Sequence, residues 1–551
     1  MKWDASYDVI AVGSGGAGFS VGLTAKLNGL SSLIIEKTST YGGSTSLSGG
    51  GVWVPNNHYL KEAGVQDSDQ DGLTYMNKII GDRVPMDLKE IYVKRGKDAL
   101  KFFHDNTNHM RFKYIPDYSD YYPEEQGGKP QGRSIEPEIF DLRKLGSDEA
   151  LIRKATMDTK GLCMDCYDFR HINMITRTMK GKTQSIKVGM RLIKSKLTGA
   201  RLASLGTALI ARMRLSYKEA NGELWLNTTF KDYILEDDKV VGILVEKEGK
   251  ELRLQAKKGV VMTLGGFSHS QKYREKYLPH PTKTEWSSSS EGQVGDFIEP
   301  SEKLKAKFDL MDRVWGAPSV YIPGSALAFL VADRGIPNMI IVNSKGKRYL
   351  NEGAPYHQFI DEMYEKNTKE ESTFPSWMIM DEVAKKRYLV MGLFPGQAFP
   401  KPWVDSGEIC IADTIEELAR KINVPETNLT QTVKRFNELA KKGEDIDFKR
   451  GNSAYEKYYA DPSLPNPCLH PIEKGPYYAL KVVAGDIGTK GGLVINTNSQ
   501  VLKEDGTVIE GLYAAGNTSA SIMGETYPGP GATIGPGMVF GYLAVNHMLK
   551  K

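Results

Sequence analysis

Hydrophobic and polar positions along the first forty residues follow the order strand, helix, strand. Residues 7–12 (YDVIAV) form a continuous apolar run typical of a buried parallel strand, and a helical pattern follows to about Asn28. A second apolar run, SSLIIEK, ends at Glu36 and Lys37. Apolar runs separated by polar turns predict short strands within 224–262 and another at 511–517. This alternation predicts an α/β fold built on a parallel sheet.

The turn between the first strand and the helix is rich in glycine: Gly13-Ser14-Gly15-Gly16-Ala17-Gly18. Gly13 permits a tight turn, Gly15 lets the backbone approach a pyrophosphate, and Gly18 lets helix and strand pack closely. Glu36 ends the second strand, where a carboxylate can accept a hydrogen bond from a ribose hydroxyl. Strand, glycines, helix, strand and acid in this order predict a dinucleotide site.

Four further segments are predicted to belong to the same site. The glycine-dense run at 41–51 suits a backbone lying against a flat ring system, with a flexible surface loop as the alternative. The segment 224–267 is predicted as short strands that end on a glycine pair, 511–517 is predicted as a strand that closes on a glycine, and 529–537 precedes a helix whose start can stabilise negative charge. The candidate cofactor residues here are Gly42, Gly43, Ser44, Thr45, Ser48, Gly49, Gly50, Phe230, Thr263, Gly265, Gly266, Gly516, Asn517, Thr533 and Ile534.

The chain has 551 residues, which is long for one core and favours two domains. Because the nucleotide-site segments lie at both ends, we expect a discontinuous Rossmann-like domain. Its parts are 1–292 and 477–551, and an α+β catalytic domain, 293–476, is inserted between them.

Composition narrows the class of protein. A net charge of +4 argues against nucleic acid as the main partner, and four cysteines exclude a disulfide scaffold. Cys163 and Cys166 form a CxxC pair without a second pair, so we expect reduced thiols and no metal site. The first residues lack a secretory signal, and no apolar run is long enough to span a bilayer. We therefore expect a cytoplasmic protein.

Positive charge is concentrated in residues 177–218, which contain eleven Lys or Arg and no Asp or Glu. Apolar residues are interleaved with these basic residues, as in segments that lie on anionic membranes. The alternative is a solvated helix face, with 202–217 as the helix before the strand at 224. Glycines at 181, 189 and 199 argue against a single long helix.

Several motifs in the same order resemble 3-ketosteroid Δ1-dehydrogenases, which are FAD-dependent enzymes of the fumarate reductase superfamily, and the likeness covers nearly the whole chain. The motifs are YGGSTSLSGGGVWVPNN (41–57), YSDYYPE (118–124), GRSIEP (132–137), GKRYLNEGAPY (346–356), GDIGTKGGL (485–493) and MGETYPGPGATIGPGM (523–538).

The resemblance implies non-covalent FAD, a 3-ketosteroid substrate, a quinone-type or artificial electron acceptor and a role in steroid degradation. It also implies that Tyr527 and the Gly531 N–H hold the C3 carbonyl, that Tyr356 takes a proton from C2, and that Tyr121 supports Tyr356. Tyr118 and Tyr122 remain alternatives for the supporting role, and His357 is expected to be a hydrogen-bonding neighbour.

Three other functions remain open. The first is a Δ4-dehydrogenase or a reductase of another enone. The second is a fumarate-type dicarboxylate reductase, which needs cationic residues where this chain has tyrosines. The third is a flavin-binding protein without catalysis, which would not need donors directed at a carbonyl.

Overall fold

The computed structural model describes residues 2–155 and 161–551. The strands are β1 Ala5–Val12, β2 Ser32–Ile35, β3 Val52–Trp53, β4 Phe112–Tyr114, β5 Ser134–Pro137, β6 Phe140–Asp141, β7 Leu202–Ala203, β8 Glu223–Trp225, β9 Thr228–Glu236, β10 Lys239–Lys247, β11 Lys250–Met262, β12 Phe308–Asp309, β13 Val314–Val320, β14 Ala328–Phe329, β15 Met339–Val342, β16 Ser376–Met380, β17 Ile409–Ala412, β18 Tyr477–Thr489, β19 Gly492–Leu493, β20 Gln500–Leu502 and β21 Val508–Ala514.

The α-helices are α1 Gly16–Leu27, α2 Gly43–Leu47, α3 His58–Glu62, α4 Asp69–Ile80, α5 Met86–Asn106, α6 Cys166–Ile172, α7 Met179–Thr198, α8 Leu205–Glu219, α9 Gln271–Tyr277, α10 Ile298–Lys303, α11 Tyr356–Glu365, α12 Glu382–Arg387, α13 Lys401–Asp405, α14 Ile415–Lys421, α15 Glu426–Lys442, α16 Ala454–Lys457 and α17 Ile534–Leu549. Short 3₁₀ helices span Gly81–Arg83, Leu142–Leu151, Thr284–Trp286, Asp333–Gly335 and Gly516–Thr518.

The larger sheet has the strand order β20–β21–β11–β1–β2–β8, and β21, β11, β1, β2 and β8 run parallel. The antiparallel hairpin of β9 and β10 extends β11. In β1 the four residues Val9 to Val12 are all buried, because helices cover one face and other strands and loops the other. The predicted α/β fold with a Rossmann-like parallel sheet is confirmed.

Helices α1 and α17 pack against each other at one face of this sheet. The contact is close because α17 presents glycines: a Cβ on Gly541 would lie 3.0 Å from the Ala17 carbonyl oxygen, and one on Gly537 would lie 3.3 Å from the Gly516 Cα. The last helix of the chain therefore rests directly on the first.

A smaller antiparallel sheet has the order β14–β13–β18–β16–β15, with β17 also paired to β18. Helices α11 to α15 lie in the same stretch of chain, which gives this region the expected α+β character. Its longest strand, β18, begins at Tyr477, so residues 477–489 pair with strands from within 293–476. The division of the chain at residue 477 stays a prediction.

The glycine-dense run after Gly42 contains a short helix, α2. The expectation that glycines interrupt a single long helix in the basic segment is met at Gly199, which ends α7 before α8 begins, but it was wrong for Gly181 and Gly189, through which α7 passes without a break. Each internal glycine costs a helix about 1 kcal/mol. The side-chain cap of Thr178 on the Gly181 N–H and the left-handed C-cap at Gly199 help to offset that cost.

The expected helix before the strand at 224 is present as α8. None of the helices in the described ranges has the length and apolar character needed to cross a bilayer.

Candidate active site

One cavity of about 1480 Å³ extends from the carboxyl ends of the parallel strands to β14 in the smaller sheet. Glycines, hydroxyl side chains and Glu36 line one end, whereas aromatic and aliphatic side chains line the other. The wall includes every predicted catalytic residue and every predicted cofactor residue except Gly18, Gly42 and Gly266.

Those three glycines shape the backbone behind the wall. A Cβ on Gly18 would lie 1.8 Å from the Gly13 carbonyl oxygen, and one on Gly266 would lie 1.9 Å from Thr489 Oγ1. Gly42 has φ +119°, a region that residues with a Cβ rarely adopt. These three glycines allow the backbone to pack closely behind the cavity wall, and they do not line the cavity themselves.

The glycine turn after β1 forms the narrow end of the cavity. Gly13 has φ +115°, and a Cβ there would lie 2.3 Å from the Thr263 carbonyl oxygen. Helix α1 begins directly afterwards, and its N-cap, Gly15, provides no side-chain cap. The first N–H groups of α1 thus lie at the cavity wall, where a phosphate can accept hydrogen bonds from them.

Glu36 follows β2 and is buried beside this turn. One carboxylate oxygen accepts hydrogen bonds from the Ser14 N–H (3.3 Å) and hydroxyl (2.6 Å). The other accepts from the Thr38 N–H (3.0 Å) and hydroxyl (2.9 Å). These bonds hold the carboxylate in place at the cavity wall. Lys37 also lines the wall and is paired with Asp296 at 2.7 Å.

Helix α2 lies beside the glycine turn in the cavity wall. Thr45 Oγ1 accepts a hydrogen bond from the Gly16 N–H at 3.0 Å, which joins the two glycine-rich segments. Ser44 Oγ accepts from the Ser290 N–H at 2.8 Å and from the Gln293 amide. Gly49 has open space where its Cβ would be, as a backbone facing a bound ring requires.

The C-terminal segments complete the wall. Gly516 lies two residues after the end of β21 and has φ +67°. The neighbouring Asn517 Oδ1 accepts a hydrogen bond from Trp315 Nε1 at 3.2 Å. Helix α17 begins at Ile534 without a side-chain cap from Thr533. Its positive dipole end therefore faces the cavity.

Three tyrosines meet where the polar and apolar ends of the cavity join. The Tyr121 hydroxyl donates a hydrogen bond to the Tyr356 hydroxyl at 2.8 Å. The Tyr527 ring centroid lies 5.0 Å from that of Tyr121 and 5.4 Å from that of Tyr356. All three side chains are at least 95% buried.

The loop from Tyr527 to Gly531 is held by residues from the first quarter of the chain. The Pro528 carbonyl accepts hydrogen bonds from the Tyr121 N–H (2.9 Å) and the Tyr75 hydroxyl (2.7 Å). The Pro530 carbonyl accepts from the Ser134 hydroxyl at 2.6 Å.

Gly531 has φ +96°, and a Cβ there would lie 2.3 Å from the Gly51 carbonyl carbon. The loop is therefore rigid, and its last residue has to be glycine.

Burial raises the pKa of Tyr356 well above its ordinary value, while the hydrogen bond from Tyr121 acts in the opposite direction. Burial also raises the pKa of Tyr527, and nearby groups of Tyr356, Thr533 and the Gly531 backbone oppose that rise.

The neighbouring aromatic residues have other partners. The Tyr122 hydroxyl is hydrogen-bonded to His357 Nε2 at 2.9 Å, and Tyr118 stacks on Tyr458 with centroids 4.2 Å apart. Burial lowers the pKa of His357 well below its ordinary value, so the imidazole is neutral. Of the three candidates in 118–122, Tyr121 is the one that donates to Tyr356.

Sequence reasoning missed the apolar end of the cavity and two polar residues, Ser290 and Gln293, that lie at its polar end. A serine-rich run at 287–290 was the available signal for the first of them. Cys163 and Cys166 line the apolar wall as free thiols. The other apolar wall residues include Phe169, Ile172, Leu327, Phe329, Leu389, Met391, Leu393, Phe394 and Trp403.

A family model described as FAD binding domain matches residues 8–534 of the chain. A 3-oxosteroid 1-dehydrogenase from Mycolicibacterium smegmatis is 44% identical over 98% of this chain and 96% of its own length. The chain belongs to the 3-oxosteroid 1-dehydrogenase family of FAD-dependent oxidoreductases.

Two further proteins are similar to this chain over nearly its whole length. The crystal structure of a 3-ketosteroid Δ1-dehydrogenase from Sterolibacterium denitrificans, in complex with 1,4-androstadiene-3,17-dione, superimposes with a TM-score of 0.94. It is 38% identical, and the match covers 99% of this chain and 100% of that one. A 4-oxocyclohex-2-ene-1-carboxylate 5-dehydrogenase from Sinomonas cyclohexanicum is 33% identical over 98% of this chain and 92% of its own.

The cofactor of this 3-oxosteroid 1-dehydrogenase family member is FAD, as predicted. The polar end of the cavity fits it: a glycine turn at a helix start suits the pyrophosphate, and a fixed carboxylate at Glu36 suits a ribose. The open space at Gly49 and the uncapped start of α17 suit a flat ring that gains negative charge on reduction.

Proposed function

We propose that the protein catalyses 1,2-dehydrogenation of 3-ketosteroids and takes part in steroid degradation. One observation carries this proposal: Tyr527, the Gly531 N–H and the Tyr121–Tyr356 pair converge where the FAD end of the cavity meets its apolar end. When a fused-ring ketone binds there, its carbonyl group and the carbons next to that group lie between these residues and the FAD end of the cavity.

Tyr527 and the Gly531 N–H serve as the two donors to the C3 carbonyl oxygen. A proton on C2 becomes acidic only when negative charge on that oxygen is stabilised. The rigid loop between these residues fixes both donors relative to the FAD site, so little reorganisation is needed during the reaction.

Tyr356, as phenolate, accepts the C2 proton, and Tyr121 stabilises that phenolate by donating its hydrogen bond. When bound, FAD supplies the oxidant that accepts a hydride from C1, so that a C1–C2 double bond remains. Because burial raises the pKa of Tyr356, the reactive fraction is small at neutral pH and increases tenfold per pH unit below that pKa.

The small number of cationic side chains in the cavity wall argues against substrates that carry carboxylate groups. Among the described residues, the cations that line the cavity are Lys37, Lys154 and Arg201. Lys37 is paired with Asp296 and Arg201 with Glu149. None of these three cations is among the hydrogen-bond or ring contacts of Tyr121, Tyr356 and Tyr527. The contacts of these tyrosines therefore include neither the two cationic clamps of a dicarboxylate reductase nor a counter-ion for a cyclohexanecarboxylate. A Δ4-dehydrogenase remains the alternative within steroid chemistry.

The test is anaerobic mixing of the holoenzyme with androst-4-ene-3,17-dione while flavin absorbance is followed and the product is identified. We expect flavin bleaching and the 1,4-diene. Tyr527→Phe should slow bleaching by about two to three powers of ten, the scale for loss of one oxyanion donor. A second arm uses 5α-androstane-3,17-dione, whose ring A is saturated, and formation of a C4–C5 double bond without Δ1 product would favour the Δ4 alternative.

We also propose that α7 rests on an anionic membrane surface. Met179, Ile186, Met190, Ile193 and Leu197 recur at intervals of seven, four, three and four residues, and 56% to 83% of each side chain is exposed. They form one face of the helix, the α7 apolar stripe. Five exposed lysines accompany it and form no ion pair within 2–155 and 161–551: Lys180, Lys182, Lys187, Lys194 and Lys196.

Arg191 is not part of this surface, because its guanidinium is bound to Asp168 (2.5 Å) and to the Cys163 carbonyl (2.6 Å). Cys163 lines the apolar end of the cavity, so Arg191 ties α7 to the cavity wall. Lipid contact at α7 would hold the steroid pocket next to the bilayer, from which apolar substrates and a quinone-type acceptor can be drawn.

The membrane proposal is tested by sedimentation with phosphatidylserine-containing vesicles. Replacing the five lysines with Gln, or Ile186, Met190, Ile193 and Leu197 with Ser, should each abolish binding, and salt should release the wild type. The matched control replaces five exposed lysines elsewhere: Lys250, Lys305, Lys307, Lys434 and Lys442. Equal sedimentation of the wild type with neutral and anionic vesicles would contradict it.

A further inference from the structure

Lys490 lies in the GDIGTKGGL motif, and its side chain is 98% buried although it carries an ammonium group. Its Nζ donates hydrogen bonds to the carbonyl oxygens of Glu525 (2.6 Å) and Thr526 (3.0 Å). These are the two residues that precede Tyr527. A buried cation is costly unless it is well bonded, so its place here calls for an explanation.

The ammonium also lies over the Trp315 ring, 4.8 Å from its centroid. The same ring packs edge-on against Tyr527 with centroids 4.8 Å apart, and its Nε1 donates to Asn517 in the FAD wall. Lys490 therefore touches both supports of Tyr527: the preceding main chain and the aromatic ring beside it.

The backbone of Lys490 is itself fixed. Its N–H donates to the Arg313 carbonyl at 2.9 Å, and its carbonyl accepts from the Ser521 N–H at 3.0 Å. Upstream in the motif, Asp486 is bonded to Arg274 at 2.7 Å and to the Ser287 hydroxyl at 2.7 Å. The backbone of the lysine is thus anchored to Arg313 and Ser521, and its motif is anchored to Arg274 and Ser287.

We infer that Lys490 is a positioning residue that sets the direction of the Tyr527 hydroxyl toward the substrate carbonyl. The Pro528–Gly531 side of the loop is held by Tyr75, Tyr121 and Ser134. On the other side, Arg83 and Arg313 bond Glu525 only at its side chain, and the main-chain carbonyls of Glu525 and Thr526 are bonded by Lys490. Lys490 fixes this other side through bonds that an ionised donor makes strong. The inference rests on the proposed function of Tyr527 as carbonyl donor.

Burial lowers the pKa of Lys490 to about 8, with Asp361, Arg313 and Glu525 as the charged groups nearby. The side chain is therefore mostly protonated at pH 7, where its donor bonds are charge-assisted.

The test is a double-mutant cycle on the rate of anaerobic flavin reduction by androst-4-ene-3,17-dione. Lys490→Met keeps the length and removes the donors, and should slow the wild type at least 10-fold. In a Tyr527→Phe background it should slow the reaction less than 2-fold, because the hydroxyl it positions is gone. Lys490→Arg should recover part of the loss.

A second readout covers the case in which Lys490→Met folds poorly. The C3 carbonyl stretch of bound 1,4-androstadiene-3,17-dione reports polarisation directly, and Lys490→Gln should shift it toward the free-ligand frequency. The matched control is Lys89→Met, which removes another buried lysine that donates to a single carbonyl, that of Gly81 at 2.8 Å.

Equal losses from Lys490→Met in both backgrounds, or an unchanged carbonyl stretch in Lys490→Gln, would overturn the inference and leave a structural role. A wild-type holoenzyme that turns over no 3-ketosteroid would instead contradict the proposed function, so the two failures are distinguishable.

Discussion

Replacing Tyr121 by Phe tests how the proposed base is made reactive. The change removes the 2.8 Å hydrogen bond to the Tyr356 hydroxyl and keeps the ring, which packs against Tyr356, Tyr455 and Tyr527. The cavity should therefore keep its shape. The effect is confined to the hydroxyl.

The size of the effect follows from the bond that is lost. A hydrogen bond to a charged group contributes about 1.5–3 kcal/mol, and about 1.4 kcal/mol corresponds to one pKa unit. Without Tyr121, the pKa of Tyr356 should rise by about one to two units. At any pH below that pKa the phenolate fraction, and with it the rate, should fall about 10- to 100-fold.

The assay is stopped-flow flavin reduction from pH 6 to pH 10. In the wild type the rate should increase with pH, because the base must lose its proton and burial raises its pKa. In Tyr121→Phe the whole profile should move to higher pH by one to two units, so that the rate is about 10- to 100-fold lower at each pH below the Tyr356 pKa. Tyr122→Phe is the matched control, because its hydroxyl contacts His357 and not Tyr356. A rate in Tyr121→Phe equal to that of the wild type across this range would refute this account of Tyr121.

Three further predictions concern the same site. Tyr356→Phe should abolish flavin reduction while the steroid dissociation constant changes less than a few-fold; substantial residual reduction would mean that another group is the base. Gly531→Ala should reduce turnover at least 100-fold, because its Cβ would lie 2.3 Å from the Gly51 carbonyl carbon. Turnover equal to that of the wild type would show that the loop moves to accommodate the methyl group and is not rigid. Acid precipitation should release all flavin into the supernatant, and flavin retained by the denatured chain would indicate a covalent link.

The polar end of the site was predictable because its signals are local. A glycine turn, the helix after it and the acid at Glu36 lie within 24 consecutive residues, and each has one conformation that suits it. The resemblance added the tyrosines, whose positions depend on contacts between distant segments. Tyr118, Tyr121 and Tyr122 are distinguished by the bond between the Tyr121 and Tyr356 hydroxyls, which lie 235 residues apart in the chain and which no local sequence pattern brings together.

Other parts of the site were out of reach for a similar reason. Ser290 and Gln293 enter the wall only because both contact Ser44, which lies almost 250 residues away. The continuity of α7 was missed because glycine propensity was weighed without the caps at Thr178 and Gly199. The first case depends on tertiary contacts, whereas in the second local capping contacts offset the cost of the glycines.

The packing of α17 on α1 has a consequence for how the protein is made. The helix that covers Ala17 and carries Ile534 to the FAD wall begins about 500 residues after α1 ends. Synthesis at about 5–20 residues per second separates the two helices by roughly half a minute or more. During that time the face of α1 that packs on α17 has no permanent cover, so we expect nascent chains to need chaperone protection and FAD to be captured only after α17 has been made.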